Sequence, residues 1–333
     1  MKCMRFLLLF FGGIFLCGCS EKQAGIRFID KIVCDSEENV SVKDSASVGQ
    51  NFNLWDWKIG KDIAVLRTSE ANDFIKVYSY PEFELLYTFG QQGHGSDEFI
   101  THNWCKTKED GEFSVYDIMR RSLYVFGIDN DTVVRKQAYK LSENEDGLCR
   151  PYTLMLKLND SLFLMKEDFD KTVLHLTNVK SQRDLSAYLC SYREENGGNA
   201  SAYTAYDYDF DVIGDKVLLA YRNADRMELL QISPTLELVP VVIMGDREGT
   251  VVDDYVYLDV CTNGKDFYCL KCTNTKERRG DELVVISKNG DIKQKVLLDR
   301  EFNTVQFDIE GNLVGYVELE QGGIFYRYDK RFV

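Results

Sequence analysis

Histidine is scarce in this chain: 3 residues among 333, at positions 94, 102 and 175. A metal centre ringed by many imidazoles is therefore excluded. Basic charge is also short, with 40 Lys and Arg against 54 Asp and Glu and a net charge of −14. So acidic a body repels phosphate backbones and anionic lipid heads, which removes nucleic acid as a partner and leaves no basic face for a membrane. Long apolar runs are missing beyond residues 6–16, whose eleven residues reach roughly 16 Å as a helix against roughly 30 Å of hydrocarbon. No long stretch carries helical apolar spacing, so a helical fold is excluded. What is plentiful is strand-forming material: 19 Tyr, 20 Phe and an apolar fraction of 44%, with only 4 prolines. These favour an all-β chain with a substantial core.

The N-terminus carries Lys2 and Arg5 and then FLLLFFGGIFL (6–16). That is the charged head and short apolar core of a secretory signal. It ends in Leu16-Cys17-Gly18-Cys19, which resembles the bacterial lipobox. The resemblance implies cleavage after residue 18 and transfer of diacylglycerol to the thiol of Cys19. Ser20, standing where an Asp would retain the protein, resembles the sorting pattern of lipoproteins sent to the outer membrane. The expected organisation is a signal peptide over 1–18, a lipidated tether over 19–25 and one folded domain over 26–333. Loss of Lys2 and Arg5 takes the net charge to about −16. An ordinary cleaved signal with a chance cysteine is the plainer alternative, and the sequence leaves periplasmic and cell-surface placement both open.

A turn followed by an apolar strand recurs about every fifty residues. It appears as GKDIAVLR (60–67), DGEFSVYD (110–117), NDSLFLMK (159–166), GDKVLLAY (214–221), GKDFYCLK (264–271) and EGNLVGYV (310–317). Each opens on Gly, Asp or Asn, which tolerate tight turns. An aromatic-rich segment precedes each of these, a second strand follows, and a third follows in five of the units. Four short strands repeated radially describe a propeller blade. The spacing predicts a six-bladed β-propeller with four-stranded antiparallel blades. The sixth unit stops at Val333 without an outer strand, and an N-terminal strand, Ile26–Val33 or Asn39–Lys43, is expected to close the ring.

Residues 89–126 combine Gly90, Gly93 and Gly95 with Glu98, Phe99, Asp117, Arg121 and Phe126. This resembles an NHL-type repeat, and with the lipobox it resembles the six-bladed TolB-like propeller lipoproteins of gram-negative anaerobes. The resemblance implies a fold and an address. Physically, Glu98 is expected to accept backbone amides and Phe99 to wedge between blades. Ser96 and Asp97 stand where family members often carry Pro-Gly.

Several constellations carry chemistry. Asp207, Asp209 and Asp211 alternate along a strand and so share a face, where calcium accepts such ligands; a solvated face is the plain reading. Trp55, Trp57, Trp104, Tyr206, Tyr208, Tyr255 and Tyr257, with Arg150, lie on or beside the predicted innermost strands. Aromatic faces beside polar groups suit sugars and peptides, although packing between blades also consumes aromatics. His94 and His102 flank the interblade turn, and His175 reads as structural. Seven cysteines remain after Cys19 (34, 105, 149, 190, 261, 269 and 272), an odd number that leaves at least one thiol free or bonded between molecules. Cys269 and Cys272 face opposite sides of a strand, against a metal pair, while a Cys261–Cys269 bridge between strands is possible.

These readings converge on a non-enzymatic outer-membrane lipoprotein whose propeller binds a protein, peptide or glycan. The alternatives are a metal-dependent hydrolase or lyase with its site in the channel, and a structural subunit of an envelope complex.

Overall fold

The computed structural model describes residues 25–49, 53–95, 98–129, 132–141, 150–168, 172–189, 207–247, 250–320 and 322–331. Among them every regular element is a strand. Three strands come first: β1 (Arg27–Ile29), β2 (Glu37–Val40) and β3 (Val42–Val48). A meander follows of β4 (Leu54–Ile59), β5 (Ile63–Thr68), β6 (Asn72–Ser79) and β7 (Leu85–Gln91). The next comprises β8 (Asn103–Lys106), β9 (Glu112–Asp117), β10 (Ser122–Asp129) and β11 (Thr132–Lys140). Then come β12 (Tyr152–Lys157), β13 (Leu162–Asp168), β14 (Thr172–Asn178) and β15 (Arg183–Leu189). β8 and β12 pair in parallel through Cys105 opposite Met155 and Lys106 opposite Leu156, which merges these two meanders into one eight-stranded sheet.

Two more meanders follow. One holds β16 (Tyr208–Ile213), β17 (Lys216–Tyr221), β18 (Arg226–Ile232) and β19 (Leu238–Gly245). The other holds β20 (Tyr257–Thr262), β21 (Asp266–Lys271), β22 (Gly280–Ser287) and β23 (Ile292–Phe302). β24 (Thr304–Phe307), β25 (Asn312–Leu319) and β26 (Gly322–Arg331) end the chain. The fold is an all-β propeller.

The second strand of each meander reads as a near-continuous apolar run because it is covered on both faces by neighbouring sheets. β9 is buried along its whole length, whereas the outer strand β11 alternates between exposed and half-buried residues. The turn before it is set locally: Gly111 and Gly214 have φ of 62° and 61°, a left-handed geometry that favours glycine. Hydrophobic clusters fill the space between each meander and the next. One of them, around Trp57, Tyr78, Tyr316 and Phe325, joins the last sheet to the first.

The N-terminal strands run along outer edges. β1 lies parallel to β19, with Arg27 opposite Val242, and β2 lies parallel to β23, with Glu37 opposite Lys295. β3 pairs antiparallel with β26, Ala46 opposite Phe325, and is the fourth strand of the sheet that ends the chain. Ile26–Val33 therefore does not fill the position beside β26, and Asn39–Lys43 divides between β2 and β3. The apolar character of IRFIDKIV is used elsewhere: Ile29 and Ile32 pack on the cluster around Met244. β3 is largely polar, and main-chain hydrogen bonding to an edge needs no apolar side chains. Val48 is nevertheless buried, and Asp44 receives the Arg327 guanidinium at 3.1 and 2.5 Å.

Candidate functional site

The first strands lie side by side: β8 against β12, β16 against β20, β20 against β24 and β24 against β4. Their side chains make a polar belt along the channel. Lys106 Nζ lies 3.1 Å from Asp209 Oδ1, and Asp209 is hydrogen-bonded to Asp259. Asp259 Oδ2 accepts the Thr304 hydroxyl and, at 2.9 Å, the Val305 amide. The Trp57 indole donates to Thr304 Oγ1 at 3.3 Å, and Gln306 Nε2 donates to the Trp57 carbonyl at 2.8 Å. Two buried carboxyl groups in contact do not both ionise. Burial and the charge of Asp209 push Asp259 above the usual carboxylate range. Burial opposes ionisation of Asp209 too, but Lys106 outweighs it and keeps that carboxyl low.

At the end where the first strands finish, a cavity of about 100 Å³ is lined by residues from all six of them, including Trp57, Lys106, Leu156, Asp211, Cys261 and Gln306. Lys58, Thr107 and Lys108 complete its polar wall. Lys58 Nζ donates to Thr107 Oγ1 at 3.0 Å, to the Glu112 carbonyl at 2.9 Å and to the Glu109 carbonyl. Burial lowers this ammonium to about 8, against the opposing pull of Glu109, Asp110 and Glu112.

At the opposite end, where the first strands begin, Trp55 is 52% exposed. It is held in a stack: the His102 ring lies 5.6 Å away at 18°, and His102 rests on Phe74 at 4.0 Å and 11°. The Arg67 guanidinium sits 4.7 Å from the indole centroid. Arg67 is itself fixed by Asp56 at 3.0 and 2.5 Å and by the His102 carbonyl at 2.8 Å. Burial, with Arg67 beside it, lowers His102 to about 4, so the ring is neutral and stacks as an aromatic. A β-bulge between Leu54 and Asp56 separates the fate of the two tryptophans. Strict alternation would place Trp55 and Trp57 on one face; the extra residue turns Trp55 outward while Trp57 stays in the core.

The other expected ligand-binding residues divide. Trp57, Trp104, Tyr208 and Tyr257 are buried between sheets, so they serve mainly as packing, although Trp57 and Trp104 show an edge to the cavity. Arg150 is engaged by Asp184 and, at 3.9 Å, by Glu167. Tyr255 is half-buried under the Arg278 guanidinium at 4.7 Å. Tyr206 and Cys19 lie outside the described residues, as do Cys149 and Cys190. Lys58, Arg67, Lys106 and Asp259 were not singled out from the sequence. The available signal was their place beside the aromatics of the first and second strands, where a lone charge interrupts an apolar run.

Asp209 and Asp211 do lie on one face of β16 and Asp207 directly precedes it, but they are taken by different cations. Lys166 and Arg222 hold Asp207, Lys106 holds Asp209, and Lys108 approaches Asp211 at 3.6 Å. The result is a ladder of ion pairs and not a converging ligand set. Among the described residues no three His, Cys, Asp or Glu side chains are grouped to hold a metal ion. His175 bridges Glu167 at 2.9 Å and Asp184 at 3.3 Å within β13–β15. The possible Cys261–Cys269 bridge is ruled out by register: Cys269 stands opposite Val260, so the two sulfurs point to opposite faces, and both thiols are free.

In the interblade turn, Glu98 accepts the Gly95 amide at 2.7 Å and Phe99 is buried against Phe74, Phe89 and Phe126. Asp117 accepts the Ile100 amide at 2.8 Å. Arg120 and Arg121 both lie in the turn that follows Asp117, and the contact back to the glycine turn comes from Arg120. Arg120 donates to the Gly95 carbonyl at 2.7 Å and lies 3.5 Å from Asp117, while Arg121 occupies a positive-φ position (51°).

Three solved structures share the fold. A protein of Bacteroides fragilis NCTC 9343 whose name describes it as exported aligns over 88% of this chain and 99% of its own, with 12% identity and a TM-score of 0.51. The β-propeller domain of Myceliophteria thermophila Cps50 (Swd1) aligns over 87% and 99%, with 8% identity and a TM-score of 0.50. U3-55K aligns over 84% and 97%, with 8% identity and a TM-score of 0.51. No curated protein matches the chain. Residues 54–239, more than half of the sequence, match the family described as TolB-like 6-blade propeller-like, and the chain belongs to that family.

Proposed function

We propose that this protein is an outer-membrane lipoprotein, anchored through Cys19, whose six-bladed propeller is a binding module for a protein, peptide or glycan at the cell envelope. The count of six takes the eight-stranded sheet as two blades, and β3 as the outer strand that closes the last. The cluster joining the last sheet to the first supports a closed ring. The observation that carries the binding reading is Trp55. A large apolar ring held at the surface between His102 and an Arg67 that Asp56 fixes loses little rotamer entropy when a partner arrives, and such anchors dominate recognition. Its flat face and the adjoining Asp56–Arg67 pair suit an amphipathic ligand.

The test joins two variants. Cys19→Ala should move the protein from the membrane to the soluble fraction and abolish labelling by radioactive palmitate. Trp55→Ala, in the otherwise intact lipoprotein, should lose binding on peptide and glycan arrays by about tenfold or more. Equal array binding by Trp55→Ala and the parent would overturn the platform, and palmitate labelling in Cys19→Ala would overturn the anchor.

A further inference from the structure

We propose that the outer edge of β7 is a docking site for an extended segment of a partner protein. The segment adds as a fifth, parallel strand, with a basic residue at its head and apolar residues behind it. The fold itself shows how such an addition is made. β1 lies parallel to β19 and β2 parallel to β23, each as a fifth strand on a meander that already has four. Among the described residues no strand lies beyond β7. An unpaired edge presents N–H and C=O groups that another chain can use.

The edge of β7 repeats the edge that β1 occupies. β19 carries one extra residue, Val241, between the partners of Leu229 and Leu230, and β1 pairs with the regular run after it, Val242 to Met244. In β7 the extra residue is Leu86, and the regular run after it is Tyr87 to Phe89. Neither run holds a charged side chain. Each is followed by a glycine of positive φ, Gly245 at 84° and Gly90 at 91°. Tyr87 and Phe89 pack with Ile128 and Val133 of the next meander, as Val242 and Met244 pack with Ile286 and Ile292. Only the covering differs. Val242, Ile243 and Met244 are buried where β1 lies. Thr88 is exposed, Tyr87 and Phe89 are half-buried, and Leu85 and Leu86 beside them are 53% and 48% exposed.

The other two uncovered edges are defended. β11 carries Arg135, Lys136 and Lys140, and such charges discourage pairing. β15 carries Arg183 and Asp184, and its Ser186 Oγ already accepts the Leu238 amide of the next meander at 3.0 Å. Charge also sets the head of the incoming strand. In β1 that place is held by Arg27, which donates to Asp291 Oδ1 at 2.7 Å and to the Asn289 carbonyl at 2.9 Å, both in the hairpin of the next meander. Beside β7 the corresponding hairpin joins β10 to β11. Asp129 ends β10 there, exposed and with no ion-pair partner among the described residues. Glu82 and Glu84 stand exposed in the hairpin that leads into β7. An Arg or Lys at the head of the segment meets these acids. An apolar residue two places on packs beside Phe89, as Ile29 packs beside Met244.

The experiment titrates the purified full-length protein, in mild detergent, into the fluorescein-labelled peptide GRFIVTG and follows anisotropy. Saturable binding is expected below about 1 mM, with protection from amide exchange over residues 87–90. The peptide GEFIVTG should bind at least about tenfold more weakly. Asp129→Lys, checked as folded by its thermal melt, should weaken GRFIVTG and strengthen GEFIVTG several-fold each. Alternate residues of a strand point their N–H groups to opposite sides, so backbone methylation separates pairing from mere adhesion. Methylating one alternate set of peptide nitrogens should cost about tenfold or more, and methylating the other less than about threefold. Equal binding of the two peptides, equal loss from both methylated sets, unchanged affinities in folded Asp129→Lys, or no saturation at about 1 mM would overturn the assignment. So would protection over residues 241–245 in place of 87–90, because the peptide would then be displacing β1. Protection of 87–90 that grows with protein concentration in the absence of peptide, and is lost in Leu86→Lys, would give the edge to a second copy of this chain and overturn the partner.

Discussion

The most exacting test of the packing concerns Arg226 and Glu228, two residues apart on β18 and facing the same side. Glu228 is fully buried and the Arg226 side chain is 4% exposed. Arg226 Nε reaches Glu228 Oε1 at 2.7 Å, and the Tyr188 hydroxyl of the neighbouring meander donates to Glu228 Oε2 at 2.7 Å. Arg226 also donates to the carbonyls of Asp246 and Arg247 at 3.1 and 2.6 Å. Glu228→Met removes the carboxylate and leaves a guanidinium with no counter-charge in a site closed to water. Breaking one side of a buried pair costs about 3–5 kcal/mol. For a chain of this size that lowers Tm by on the order of 10 °C.

Arg226→Met strands the carboxylate and should cost a similar amount. The double variant replaces both charges by apolar volume, and what remains is the loss of partners for Tyr188 and two carbonyls. Its cost should fall short of the summed single losses by about 3 kcal/mol. Urea unfolding of all four proteins, followed by far-UV circular dichroism at one pH, measures the cycle. A double variant whose loss equals the sum of the singles to within about 0.5 kcal/mol would refute the reasoning.

Four further outcomes follow from geometry. Burial pushes the Asp184 carboxyl up, but His175, Thr177 and Arg150 outweigh it and hold it at about 2. Its contribution, about 2 kcal/mol, is present above the unfolded carboxylate range and is lost as pH falls through about 2. Asp184→Asn should flatten that acid limb in urea melts between about pH 2 and 4. His175 moves the other way: burial alone would depress it, yet Asp184 and Glu167 raise it, so its share of stability fades as pH rises through its folded value. Phe99→Ala should cost about 3–5 kcal/mol by opening the cavity between Phe74 and Phe126, read as a fall in urea midpoint without a change in slope. Cys34 and Cys272 are half-buried whereas Cys105, Cys261 and Cys269 are buried. Iodoacetamide with peptide mapping should label the first two in the native state and the last three only in denaturant.

Strands were the most legible feature of the sequence, for a local reason. A turn residue followed by a strand-forming run depends only on neighbours in the chain, and DGEFSVYD (110–117) and GDKVLLAY (214–221) fall on β9 and β17 to within two residues. The roles of Glu98 and Phe99 in the interblade turn were equally readable, because the contacts they make span only a few residues or one blade boundary. The strand that pairs with β26 was not. Hydrophobicity pointed to Ile26–Val33, but edge pairing is decided by main-chain hydrogen bonds and by which edge lies within reach.

The candidate site divides along the same line. That aromatics and charges would gather on the first strands was written in the sequence, since each of those segments carries both. Which of them meets water was decided by the bulge at Leu54–Asp56, a one-residue register shift that reverses Trp55 relative to Trp57. The partner of each aspartate was likewise set by three-dimensional closure: Lys106 and Asp209 are 103 residues apart in the chain, and Asp259 and Thr304 are 45. The sequence by itself determined an all-β repeat, its strand boundaries and its acidic surface, because these follow from local propensity and from summed charge. Only the tertiary structure decided which cation each channel aspartate meets and which tryptophan faces outward, because both depend on strands brought together by the fold.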